Sequence, residues 1–257
     1  MMVQAVQRAV RILRELAGSG PRLGVTDLAD RLGVAKPTAY ALLRTLEGEG
    51  LVVQDAETGR YCLGPGLVYL SNAYLDTQEL RTRALTWADV LASRADEAVW
   101  VAVLSGDQAL VVHHAFRPGG AVQVSEVGAS IPWNVCALGK VMVAHAPREL
   151  RDHLLERDLA VLTRASVDEP VRLGQQLEEI RKAGYAVEDQ ESAVGDAGIA
   201  APVFDSSGLP VGAIGVVGPV ERVLAGANRE QLAVAVREAG RSLSRELGAP
   251  RGAGARA

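Results

Sequence analysis

Apolar positions recur at helical spacing in three short blocks along the first 65 residues. Val6, Val10 and Leu13 mark a first helix over residues 3–16, which Gly18, Gly20 and Pro21 bring to an end. The second block places Leu28, Ala29 and Leu32 on one face, with Thr26 as its candidate N-cap and Gly33 as its stop. The third opens near Pro37, a residue that the first turn of a helix tolerates. It aligns Ala39, Leu42, Leu43 and Leu46 at i, i+3, i+4 and i+7, and Gly48 and Gly50 close it. Residues 51–63 then switch to two β-prone runs around a turn at residues 55–59, which reads as a hairpin. Three helices and a hairpin predict a winged helix-turn-helix over residues 1–64.

The pattern returns to helical from residue 65 to 95. Leu67, Leu70 and Tyr74 make one stripe, and Leu80, Ala84, Trp87 and Leu91 a second. Such a continuing edge on one long linker helix predicts a dimer contact, against the alternative that both stripes pack on neighbouring domains. Beyond Glu97 the texture changes. Residues 98–104 and 108–115 are apolar runs joined by Ser105, Gly106 and Asp107, a second hairpin. Val122 and Val124 suggest a further strand. Helices are expected at 137–146, 147–156 and 168–183, and strands at 199–204 and 211–217. A last helix is expected over 228–247, with Leu232, Val236, Ala239 and Leu243 facing inward. Consecutive strands with helices packed around them predict an α+β domain over residues 96–247. The glycine- and alanine-rich residues 248–257 read as a disordered tail.

Composition narrows the class. The 257 residues suffice for two ordinary domains. Aromatics make up only 4%, so the core must be built of aliphatic side chains. The net charge of −4 excludes a chain that binds nucleic acid by bulk electrostatics. Its first 65 residues hold eight basic against seven acidic side chains, or +1, which leaves −5 for the remainder. DNA binding must therefore rest on the placement of charges and on more than one copy of the domain. Cys62 and Cys136 form no metal-spaced set, so a reduced, cytoplasmic protein is expected. No apolar stretch approaches the ~18 residues of a membrane span, and the amino-terminal residues lack the apolar core of a signal peptide.

Chemistry first appears on the third helix. In a helix-turn-helix this element lies in the major groove, and its outward side here carries Lys36, Pro37, Thr38, Tyr40, Ala41, Arg44 and Thr45. Lys36 and Arg44 suit phosphate or guanine, while Thr38 and Tyr40 can donate to phosphate or touch a base. Thr26, at the start of the second helix, and Arg60, on the wing, complete the expected DNA-binding set.

These residues, taken with two later segments, resemble the isocitrate-lyase-regulator (IclR) family of transcription regulators. The first domain matches in VTDLADRLGVAKPTAYALLRTLEGEGLV and GRYCLGPGL. The second matches in IPWNVCALGKVMVAH and GYAVEDQESAVGDAGIAAPVFDSSGLPVGAIGVVGP, the more specific pair. The resemblance covers nearly the whole chain. It implies a winged helix-turn-helix, a linker helix and a GAF-like effector domain, in a dimer or tetramer that binds a palindromic operator in double-stranded DNA. It further implies repression of a catabolic or metabolic operon, with no catalytic residue, no cofactor, no metal and no membrane contact. Effector-contacting positions map to Ala121, Val124, Ile131, Ala137, Leu138, Glu188, Asp196, Gly198, Gly215 and Val217, with Trp133 and Trp100 as further lining candidates. Serines and thiols that would hold a small keto acid in the family are missing here, and Glu188 and Asp196 would repel an anion. Glycines at 198 and 215 would also enlarge the site. An effector bulkier and less anionic than pyruvate is expected, in the form of an aromatic or longer, mainly apolar metabolite. The competing arrangement has both acids pointing outward and backbone N–H groups binding the ligand.

Other constellations carry less. His113 and His114 are neighbours on a predicted strand and point to opposite faces, so they cannot chelate one metal together. His145 and His153 lack ligand spacing. Cys136 has no nearby resolving thiol and reads as a small buried hydrophobe rather than a nucleophile or redox switch. The competing class is a GAF-fold enzyme or sensor whose helix-turn-helix serves protein interaction. Catalysis would require a clustered nucleophile, base and oxyanion site, which the sequence does not supply.

Overall fold

The computed structural model describes residues 2–18, 22–120 and 123–252. The chain divides into two compact units, Met1–Thr77 and Gln78–Ala257.

The first unit opens with α1 (Gln4–Gly18), α2 (Val25–Leu32) and α3 (Lys36–Gly48). A two-stranded antiparallel hairpin of β1 (Val52–Gln54) and β2 (Tyr61–Leu63) follows, and Leu23 adds a bridge to Tyr61. Ile12, Leu16, Leu28, Leu32, Leu43, Leu46, Val52 and Tyr61 share one core, with Leu42 partly buried beside them. Two expectations change in detail. The buried face of α1 runs through Ile12 and Leu16, whereas Val6 and Val10 are exposed. The N-cap of α2 is Gly24 rather than Thr26, which lies inside the first turn. The Asp27 carboxylate accepts the Gly24 N–H at 3.0 Å, so the acid at the third helical position does the capping. Gly20 and Pro21, expected to end α1, lie outside the described residues.

The stretch read as one linker helix is two. α4 (Gly66–Asp76) belongs to the first unit and α5 (Glu79–Ala95) to the second, with Thr77 and Gln78 between them. Leu70 and Tyr74 are exposed on α4. The second stripe is used inside the chain: Leu80, Ala84 and Leu91 are buried, and Trp87 Nε1 donates to Glu246 at 2.9 Å.

The second unit is built on a six-stranded antiparallel sheet. Its strands are β3 (Ala98–Ser105), β4 (Gln108–Ala115), β5 (Ser130–Pro132), β6 (Ala186–Asp189), β7 (Asp196–Phe204) and β8 (Pro210–Pro219), ordered β5-β4-β3-β8-β7-β6. A 3-10 turn at Trp133–Val135 leads into α6 (Ala137–His145), followed by α7 (Arg148–Leu155) and α8 (Pro170–Ala183). The chain closes with α9 (Val220–Val223) and α10 (Gly226–Glu246). Adjacent residues of β7 show the layering, because neighbours on a strand face opposite sides. Ala200 joins the cluster built on Val141, Leu173 and Leu177 of α6 and α8. Ala201 lies under Gly240 of α10, which in turn packs with α5. Helices therefore cover both faces, an α+β arrangement.

Three readings of this region are corrected. Val124 is exposed and lies in no strand; the strand that pairs with β4 at this edge is β5, which runs through the 3-10 turn into α6. Val122 lies outside the described residues. Strand β6 escaped notice because Glu188 and Asp189 interrupt its apolar texture. Of the tail, Gly248 and Ala249 close α10 by donating to the carbonyls of Arg245 and Ser244, and residues 253–257 are outside the described set.

Candidate functional site

On the first unit the outward side of α3 is as expected. Lys36, Pro37, Thr38, Tyr40, Ala41, Arg44 and Thr45 are all exposed while Ala39, Leu43 and Leu46 are buried. Thr26 is exposed on the first turn of α2. Arg44 is not idle: its Nη1 donates to Glu47 at 2.8 Å. The Thr45 hydroxyl donates to the Ala41 carbonyl at 3.1 Å. On the wing Arg60 Nη1 reaches the Arg22 carbonyl at 3.3 Å, and Arg22 pairs with Asp55. Arg22 thus joins Arg60 as an exposed cation of the wing. Spacing gives it no role, because the bridge that the next residue, Leu23, makes to Tyr61 is set by tertiary pairing.

In the second unit a pocket of about 250 Å³ opens between β8, β7 and β6 and the start of α6. Of the expected positions, Ile131, Ala137, Leu138, Glu188, Asp196, Gly198, Gly215 and Val217 all line it. Trp133 does not: it is buried in the core behind the pocket. Val124 is exposed to solvent, and Ala121 lies outside the described residues. Trp100, the other tryptophan that the sequence offers as a lining candidate, does line it, and Glu126, Ser192 and Ala200 are lining residues that the sequence did not single out. Trp100 stands opposite Gly215 across the β3–β8 ladder, so the missing side chain at 215 leaves the indole a wall to occupy.

Of the two glycines expected to enlarge the site, Gly215 works differently. A Cβ on Gly215 would come within 2.7 Å of the Ala200 Cβ and 2.9 Å of the Ile199 carbonyl. Gly215 therefore allows close strand packing and adds no volume for a ligand. A Cβ on Gly198 would meet nothing closer than 3.5 Å, so this position does border free space. In the Ala-Leu-Gly-Lys segment, a Cβ on Gly139 would lie 2.4 Å from the Trp133 carbonyl, so only glycine lets the helix start against the preceding turn.

Electrostatics set the character of the pocket. Glu188 is buried and faces inward, with Oε2 3.7 Å from the position a Gly198 Cβ would take. Its Oε1 accepts backbone N–H groups of Glu191 at 2.6 Å and Ser192 at 3.2 Å. Burial pushes the Glu188 carboxyl up to about 7, although those two N–H groups oppose the shift. The outward arrangement of both acids is thus excluded for Glu188, while Asp196 is exposed at the rim. Behind the pocket Lys140, fully buried, donates to both oxygens of Glu191, each at 2.5 Å. Cys136 caps α6 by accepting the Gly139 N–H at 3.3 Å, and burial pushes its thiol up to about 12. Such a thiol is an inert wall, not a nucleophile. His113 and His114 pair with Val101 and Trp100 on β3 and so point to opposite faces. His114 is buried and His113 partly buried. Among the described residues no group of three His, Cys, Asp or Glu is placed to hold a metal, and no helix is long and apolar enough to cross a membrane.

A winged unit with an exposed reading helix and a second unit enclosing a small-molecule pocket define a ligand-responsive, DNA-binding transcription regulator. The chain belongs to the IclR family. Residues 5–56 match the IclR helix-turn-helix domain, and residues 72–245 match the C-terminal domain of bacterial IclR transcriptional regulators. The chain is 46% identical over 250 residues to the glycerol operon regulatory protein of Streptomyces coelicolor, covering 97% of this chain and 98% of that protein. It is 29% identical over 224 residues to the transcriptional repressor IclR of Escherichia coli, covering 86% and 82%. The fold matches the IclR transcriptional regulator from Alicyclobacillus acidocaldarius with a TM-score of 0.80 at 27% identity, covering 95% of this chain and 99% of that one. The family consists of transcription regulators and not enzymes, which removes the competing class.

Proposed function

We propose that this chain represses an operon for the use of glycerol or a related polyol, and that a neutral, hydroxyl-rich compound in the pocket relieves repression. The chemistry of the pocket carries the reading. Glu188, Glu126 and Asp196 offer carboxylate oxygens. The first turn of α6, at Ala137 and Leu138, offers backbone N–H groups that have no intrahelical acceptor. A hydroxyl both donates and accepts, so a polyol serves both sets. A carboxylate or phosphate is attracted by the helix start but repelled by the acids, and the nearest buried cation, Lys140, is taken by Glu191. The full-length likeness to a glycerol operon regulator supports the same class.

Size refines the sequence expectation. At about 250 Å³ the pocket lies below the range of about 300–1,000 Å³ that holds drug-sized ligands. Glu188, Glu126 and Asp196 stand there among a mainly apolar lining, which favours a compact effector less anionic than pyruvate. On DNA the chain acts as a homo-oligomer, because a palindromic operator presents two half-sites to a symmetric pair of winged units. The exposed apolar side of α4, with Val68, Tyr69, Leu70 and Tyr74, supports that assembly.

A thermal-shift series tests the ligand class. Glycerol and longer polyols at millimolar concentration should raise the melting temperature, whereas pyruvate and glyoxylate should not. Ligand at 100 times its Kd would add about 2.7 kcal/mol. Gly198→Leu, which fills the cavity from a position with room for a Cβ, should abolish the shift. Stabilisation by pyruvate with none by any polyol would overturn the reading.

A further inference from the structure

The second unit holds another, larger cavity, and its character is opposite to that of the effector pocket. It is an open hollow of about 880 Å³ between the end of α8, the last turns of α10 and the end of β7. Arg181, Lys182, Arg237, Arg241 and Arg245 border it, and its floor is Ala201, Pro202 and Phe204, with the buried His145 ring edge-on to Phe204. The one acid on its border, Glu178, is held by Arg151 at 2.8 Å.

We infer that this hollow is a second ligand site, specific for an organic phosphate, that regulates the protein independently of the acidic pocket. Three observations converge on it. First, Arg237, Arg241 and Arg245 are spaced i, i+4 and i+8 along one face of α10. Like charges at this spacing destabilise a helix. Cations in a last turn complement the helix dipole, which accounts for Arg181, Lys182 and Arg245 but not for Arg241 and Arg237, about one and two turns further in. Second, Arg237 is half-buried over the end of α8, and its Nε is buried without a hydrogen-bond acceptor. A buried guanidinium is ordinarily paired, and among the described residues no acceptor meets this one, so a cation half out of water stands beside the hollow without a counter-charge. Third, the cationic walls surround an apolar floor. Guanidinium forks match the oxygens of a phosphate, while the apolar floor takes a carbon skeleton. Bulk DNA has no use for a floor of this kind, and a concave site of this volume fits a small molecule.

The two cavities would let one chain read both a neutral metabolite and a phosphorylated one, since the acids of the first repel the anion that the cations of the second attract. Isothermal titration with glycerol 3-phosphate, AMP and inorganic phosphate on the full-length protein tests this. We expect at least one of the esters to bind with one site per chain, more tightly than inorganic phosphate, and at least tenfold more weakly at 0.5 M salt, about 1.4 kcal/mol, since charge screening is then strong. Arg237→Ala together with Arg241→Ala should weaken it at least tenfold. Arg241→Gln alone, at an exposed position where folding is not at stake, should weaken it severalfold and leave the ligand-free melting temperature equal or higher, because a like-charge contact is gone. Binding unaffected by either variant would place the phosphate elsewhere and overturn the inference. So would the absence of any binding at millimolar concentration, a lower melting temperature for ligand-free Arg241→Gln, or a loss of operator affinity in that variant when no phosphate is present.

Discussion

Lys140 Nζ lies 2.5 Å from each carboxylate oxygen of Glu191, and both side chains are almost wholly out of water. The pair ties α6 to the loop after β6, the same loop whose N–H groups at Glu191 and Ser192 hold Glu188 at the pocket wall. Ser166 Oγ donates to the Glu191 carbonyl at 2.8 Å and Thr163 Oγ1 to the Gln190 carbonyl at 2.6 Å, fixing the loop from its other side. The ion pair thus positions the wall of the pocket that carries Glu188.

Breaking that pair from one side leaves a buried charge without its partner. Lys140→Met or Glu191→Leu alone should each cost about 3–5 kcal/mol in urea unfolding. The double variant should recover most of the loss, because two apolar groups of similar size remove both desolvation costs. Additive losses in the double variant would show that the two residues do not act as a pair.

Glu188 gives stability a pH dependence of definite sign. Its carboxyl sits at about 7 in the folded chain against an ordinary value of 4.5, so the folded state holds a proton that the unfolded state has released. This contribution is fully present below about pH 4.5 and is lost as pH rises to about 7. Glu188→Gln removes the titration, and unfolding free energies between pH 5 and 8 should fall less steeply by up to about 3 kcal/mol in total. Parallel pH profiles for wild type and variant would contradict the burial of this acid.

Much of this arrangement was legible in the sequence. Helical spacing at Ala39, Leu43 and Leu46 fixed which side of α3 faces out, and eight of the expected pocket positions line one cavity. What escaped had tertiary causes. The exposure of Val6 and Val10 depends on which side of α1 meets the other helices, and spacing alone does not choose. The break at Thr77 carries no glycine or proline. The role of Gly215 could not be read because nothing in one strand reveals how near Ala200 of the next strand stands. The part of Lys140 was hidden for the same reason, since its partner is 51 residues away.

Operator affinity should report the ion pair on the reading helix. Arg44→Ala should weaken binding by about 1–3 kcal/mol if the residue reads a base, with the fold intact because its side chain is 60% exposed. Glu47→Gln should act in the opposite direction, releasing Arg44 and removing a negative charge near the phosphates. Weaker binding after Glu47→Gln would mean that the acid positions Arg44 for contact.

Assembly should depend on α4. Light scattering at micromolar concentration should give at least a dimer in the absence of DNA. Tyr69→Glu with Leu70→Glu should shift the mass toward the monomer while the melting temperature holds, since both side chains are more than half exposed within one chain. A wild-type monomer would remove the symmetric pair that two half-sites require.

The most direct test is a titration of the protein against the DNA upstream of its own gene, read by fluorescence anisotropy with and without effector. The acidic pocket predicts tight, salt-sensitive binding that millimolar glycerol or a longer polyol weakens at least tenfold, about 1.4 kcal/mol. Pyruvate and glyoxylate should have no effect, and Gly198→Leu should bind DNA but ignore the polyol. Release by pyruvate or glyoxylate, with none by any polyol, would contradict the account.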